Sequence, residues 1–85
     1  MTVPALFLKF RALVMFFDEQ AEKLGVSLED IYKLTPHYAT AIKKQIDAAE
    51  GEYRLDNAHE VDVKIGLVKK LYFTAVKEIE RKKRK

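Results

Sequence analysis

The sequence predicts an all-α domain, a small bundle of about four helices over residues 3–24, 28–34, 36–50 and 58–82. Three observations carry this prediction. Apolar residues recur at alternating steps of three and four along most of the chain, the spacing that gathers side chains on one face of a helix. The breaks in that spacing fall on helix punctuation: Gly25, Ser27, Thr35-Pro36, Gly51 and Asn57. With 48% hydrophobic and 34% charged residues, and only three Gly and two Pro in 85, the composition excludes a collagen-like, low-complexity or largely disordered chain.

The first helix carries Val3, Phe7, Phe10, Val14, Phe17, Ala21 and Leu24 as its inner stripe. Thr2 can cap it, and Pro4 fits a first turn whose N–H groups have no helical partner. Lys23 suits the negative C-terminal end of the dipole, and Gly25 can take the left-handed conformation that ends a helix. A second stripe, Ala5, Leu8, Ala12, Met15 and Phe16, leaves little of the first four turns polar, so this helix should be covered on more than one side. Four of the five Phe lie here.

Ser27-Leu28-Glu29-Asp30 reads as a capping box with Asp in the place of the usual Glu or Gln, and it opens a short helix bearing Leu28, Ile31, Tyr32 and Leu34. Thr35-Pro36 restarts the chain as a third helix, with Tyr38, Ile42, Ile46 and Ala49 facing inward and Gly51 as a stop. The last third is ambiguous. Val61 to Leu67 alternates like a strand, while Val61, Ile65, Val68, Tyr72, Ala75 and Ile79 repeat like a helix for some eighteen residues after Asn57, a cap with Glu60 three positions on. Length favours the helix; the alternative is a local hairpin around residues 53–67, pairing Tyr53-Arg54-Leu55 through a turn at Asp56-Asn57. Gly66 inside that helix implies close packing of a neighbour or a kink.

Charge is unevenly placed. The formal net charge is +3, but Arg81, Lys82, Lys83, Arg84 and Lys85 hold five of the sixteen basic residues, so the first eighty carry eleven basic against thirteen acidic residues, a net of −2. The chain therefore reads as one helical domain over residues 1–80 and a basic tail over 81–85, and the basicity belongs to the tail rather than to a face of the fold.

Several chemistries lack their residues. Without Cys there is no disulfide, zinc knuckle, iron–sulfur site or thiol nucleophile. His37 has no Ser nucleophile at an evident spacing, and His59, Asp56, Glu60 and Asp62 divide between two helix faces, so no face gathers the three ligands a metal needs. No Gly-rich phosphate loop, calcium loop or nucleophile elbow occurs. These absences predict a protein that is not an enzyme and uses no cofactor. Lys9 and Arg11 interrupt the apolar N-terminal run, which excludes a membrane span, and no secretory cleavage pattern follows it, so a cytoplasmic location is expected.

Two function classes remain. A domain of this length removes only about 60–65% of its unfolded surface from water. Two apolar stripes on one helix therefore imply either an exposed patch that a second copy or another protein covers, or a central helix sealed by the other three. On the first alternative the interface residues are Phe7, Phe10, Val14, Phe16 and Phe17, because aromatic side chains dominate interface energetics. The second class is a small helix-turn-helix-like DNA-binding regulator. It would use His37, Thr40, Lys43 and Lys44 on helix 36–50 together with the tail residues Arg81, Lys82, Lys83, Arg84 and Lys85, against the acidic surroundings of Glu29, Asp30, Asp47, Glu50 and Glu52.

The order Leu24-Gly25, a short helix, Leu34-Thr35-Pro36, a polar helix and an Ala- and Lys-containing closing helix resembles small phage-encoded proteins of the tail-assembly and morphogenesis type. In those, a leucine-threonine-proline junction opens a helix. The family pattern has Arg or Glu soon after the Pro, where this chain has His37-Tyr38. The resemblance implies a non-enzymatic helper that binds another viral protein, and it assigns no functional residue.

Overall fold

Four helices follow in order: α1 (Ala5–Leu24), α2 (Leu28–Leu34), α3 (Pro36–Arg54) and α4 (Ala58–Lys83). The computed structural model describes the backbone of residues 5–83 and the side chains of residues 8–82; Thr2, Val3 and Pro4, assigned to the first helix from the sequence, lie outside them. Among the described residues there is no strand, so residues 53–67 form the end of one helix and the start of the next rather than a hairpin.

Local chemistry accounts for each boundary. α1 ends at Gly25, whose φ of 71° is the left-handed conformation that costs Gly nothing and whose N–H donates to the Ala21 carbonyl at 2.9 Å. The capping box at α2 is complete: the Asp30 N–H donates to Ser27 Oγ at 3.1 Å, and the Ser27 N–H donates to Asp30 Oδ2 at 3.0 Å. A single residue, Thr35, separates α2 from α3; it is buried, and its hydroxyl donates to the Ile31 carbonyl at 3.0 Å.

α3 runs past Gly51, the expected stop, to Arg54. Gly51 keeps a right-handed conformation and faces solvent, whereas the termination signal lies five residues later. Asp56 takes the left-handed conformation at φ 57°, its N–H donates to the Tyr53 carbonyl at 3.0 Å, and the Asn57 N–H reaches back to the Glu52 carbonyl at 3.0 Å. That is the paired hydrogen-bonding of a Schellman cap, built on Asp instead of Gly. The Asp56-Asn57 turn expected from the sequence therefore exists, but it joins two helices. Asn57 opens α4, with its Oδ1 accepting from the Glu60 N–H at 3.4 Å. At Gly66 α4 continues unbroken, and a Cβ there would meet nothing within 4 Å, so the close neighbour that the sequence implied is absent.

α3 and α4 form the tight pair. His37 lies by Glu78 at one end, and Tyr53 and Val61 line one cavity at the other, so the two helices run antiparallel. Small residues on their inner faces, Ala39 and Ala49 on α3 and Ala75 on α4, let the backbones approach. α1 stands farther off and lies parallel to α4, joined to it by an ion pair of Lys9 with Asp62 near one end and by large side chains farther along. Phe16, Phe17, Tyr72 and Phe73 make a cluster of ring contacts, with centroid separations of 5.6 Å for Phe16–Phe17, 5.3 Å for Phe17–Tyr72 and 5.7 Å for Phe16–Phe73. Tyr72 sits at its centre, fully buried, and its hydroxyl donates to the Val26 carbonyl at 2.7 Å, which ties the α1–α2 turn to the middle of α4.

The body is elongated, 50 × 22 × 18 Å with a radius of gyration of 13.9 Å. A compact chain of this length would have about 12 Å. Its accessible surface, 6114 Å², likewise exceeds the roughly 5200 Å² of a compact monomer of 9.9 kDa.

Candidate protein-interaction surface

The rotation of α1 about its own axis decides which apolar residues it offers to solvent. Leu13 and Phe17 dock into the core with Tyr72 and Ile42, flanked by half-buried Phe10, Phe16 and Ala21. This seam differs from the inner stripe expected from the sequence, because Leu13, which belonged to neither stripe, is buried, while Val14 is 58% exposed and Leu24 also faces outward. Burying Leu13 turns residues on the far side of the helix outward: Leu8 is 54% exposed, Met15 is 62% exposed, and Ala12 lies exposed between them. Residues 8, 12 and 15 follow steps of four and three, so they form one continuous strip about two turns long.

The interface residues expected from the sequence separate accordingly. Phe17 is 6% exposed and belongs to the core. Phe16 packs its edge on Phe17 and Phe73 and carries the Lys69 ammonium 5.1 Å from its ring centroid, so its remaining surface is largely committed. Phe10 is half-buried, Val14 is exposed but separated from the strip by Arg11 and Asp18, and the Phe7 side chain lies outside the described residues. Of the second stripe, Leu8, Ala12 and Met15 are the residues left exposed, while Phe16 is half-buried. The expected aromatic anchors turn toward the core instead, since aromatic rings are the side chains large enough to span the gap between α1 and α4.

The same helix is polar in its second half. Asp18, Glu19, Glu22 and Lys23 are exposed, and Glu19 pairs with Lys23 at 3.1 Å. Arg11 and Asp18 border the apolar strip on one side, Arg11 level with Ala12 and Asp18 about one turn past Met15, and neither forms an ion pair among the described residues. A smaller exposed pair, Val63 and Leu67, lies on α4 one turn apart. The only sequence signal for it is that both residues fall off the main α4 stripe.

The residues considered for nucleic acid are also on the surface. His37, Thr40, Lys43 and Lys44 are exposed along α3, with the Thr40 hydroxyl donating to the Pro36 carbonyl at 3.0 Å. The antiparallel arrangement brings the start of α3 to the end of α4, where Arg81 and Lys82 are exposed; the side chains of Lys83, Arg84 and Lys85 lie outside the described residues. Between the two groups stands Glu78, 3.6 Å from His37 and 3.9 Å from Lys82, a carboxylate where a phosphate would need none. The one-residue α2–α3 junction is also shorter than the three- or four-residue turn, about a right angle, of a helix-turn-helix.

A shallow cavity of about 230 Å³ lies where Lys9, Tyr53, Asp56, Asn57, Ala58 and Val61 meet. It is smaller than the roughly 300–1000 Å³ of small-molecule sites, and its one cation is engaged by Asp62. Among the described residues no cluster of three His, Cys, Asp or Glu could hold a metal ion, and no helix is long and apolar enough to cross a membrane. No protein-family model matches the chain, and no curated protein or solved structure matches it.

Proposed function

We propose that this protein is a non-enzymatic interaction or assembly module that binds a second copy of itself or another protein through the solvent face of α1. The observation that carries this reading is the strip Leu8–Ala12–Met15, held out of the core by the docking of Leu13 and Phe17 on the opposite face. A large exposed aliphatic side chain is ordinary when it stands alone; a row of them on a rigid helix, in a body that exposes more surface than its mass requires, is the arrangement of a docking face. The resemblance to phage tail-assembly helpers points the same way, to a small viral protein working by contact with another.

A photo-activated cross-linking residue in place of Met15, compared with the same residue in place of exposed Lys70 on α4, tests the reading in the native host. Cross-linked species should form at position 15 and be absent at position 70. Equal yields at both positions, or none at position 15, overturn it. Binding of duplex DNA that weakens steeply with salt and persists without residues 81–85 would favour the regulator reading instead.

A further inference from the structure

We infer that the partner on the α1 face is a second copy of this chain, with its own α1 laid antiparallel across the first; this rests on the interaction reading above and specifies its occupant. The strip is self-complementary in shape. Ala12, the small residue at its centre, admits the Met15 side chain of the second copy, and the two-fold axis repeats the contact with Met15 of the first copy against Ala12 of the second. In the same register Leu8 meets the aliphatic stem of Glu19 of the second copy.

Charge selects the antiparallel arrangement. Arg11 and Asp18 are seven residues apart on one flank of the strip, and both are without an ion-pair partner among the described residues. When Ala12 and Met15 form the central layers of an antiparallel pair, Arg11 of each copy comes opposite Asp18 of the other, giving two interchain ion pairs. A parallel pair would instead set Asp18, Glu19 and Glu22 of one copy against the same residues of the other, and like charges at a helix interface repel. The strip is only about two turns long, so the dimer is expected to dissociate in the micromolar range.

Sedimentation equilibrium of the full chain over about 5–500 µM, which brackets that range, tests this with four proteins. Wild type should be a monomer–dimer mixture. Ala12→Glu, which places a carboxylate in the central layer, should weaken dimerisation at least about tenfold, and Asp18→Arg, which faces Arg11 with Arg, should do so by about threefold to tenfold. The double variant Arg11→Asp/Asp18→Arg exchanges the two charges and should recover most of the association that Asp18→Arg loses, an effect that general surface stickiness does not produce. Because all three positions are exposed, circular dichroism should show all four proteins equally helical.

Each failure is separable. A monomeric wild type overturns the self-pairing and leaves the cross-linking test of the α1 face to decide the broader reading. A dimer insensitive to Ala12→Glu overturns the use of this face by a second copy, and one sensitive to Ala12→Glu but unrescued by the charge exchange overturns the antiparallel register.

Discussion

Replacing Tyr72 with Phe removes one oxygen atom from the centre of the fold. The hydroxyl donates at 2.7 Å to the Val26 carbonyl, and both residues are buried, so water cannot take the place of the lost donor. A typical intramolecular hydrogen bond contributes about 0.5–1.5 kcal/mol, and a buried carbonyl left unpaired costs about 1–3 kcal/mol. Ring packing against Phe16, Phe17 and Phe73 is retained. We therefore expect Tyr72→Phe to destabilise the fold by about 1–2 kcal/mol, which for a chain of this size lowers Tm by about 5–15 °C. Thermal unfolding followed by circular dichroism measures it, under conditions where the protein is monomeric.

Alkaline pH supplies a second readout of the same bond. Burial pushes the Tyr72 hydroxyl above its ordinary pKa of 10.0, and the Asp30 carboxylate adds to the shift. A raised pKa means that the folded state holds its proton where the unfolded chain has already lost it. The contribution of Tyr72 is thus complete below pH 10 and is lost as the pH rises from there through the folded-state value. The gap between wild type and Tyr72→Phe should accordingly narrow above pH 10. A variant whose Tm matches wild type to within about 2 °C, with the same alkaline slope, would show that this hydroxyl does not anchor the α1–α2 turn.

Other substitutions test the local readings. Ser27→Ala removes the side-chain acceptor of the α2 capping box and should cost about 1 kcal/mol in chemical denaturation. The three glycines should divide by sign. Gly51→Ala and Gly66→Ala, in open helical positions, should each stabilise by about 0.5–1 kcal/mol, whereas Gly25→Ala, at φ 71°, should destabilise by about 1 kcal/mol. A destabilising Gly66→Ala would mean that a neighbour does pack there.

Most of the secondary structure was legible in the sequence because its signals are local. The capping box at Ser27 and Asp30, Pro36 after Thr35, Gly25 past the end of α1 and the α4 stripe from Val61 to Ile79 each act within about one turn or one face of a helix. The misplaced end of α3 and the ambiguity at the start of α4 have one cause. Gly and strand-like alternation are weak signals that helix propagation overrides, so α3 runs through Gly51, and Val61–Leu67 lies in the helix that its length favoured.

The face of α1 that meets solvent could not be read this way. With Phe7, Phe10, Leu13, Val14, Met15, Phe16 and Phe17 distributed around nearly the whole circumference, periodicity allows several rotations of the helix. The sequence by itself determined that α1 is a helix with more apolar surface than one seam requires. Only the tertiary structure decided which part stays outside, because the rotation depends on residues distant along the chain. Tyr72 and Phe73 receive Phe16 and Phe17, Asp62 holds Lys9, and once Leu13 has turned inward with them, Leu8, Ala12 and Met15 are left facing water.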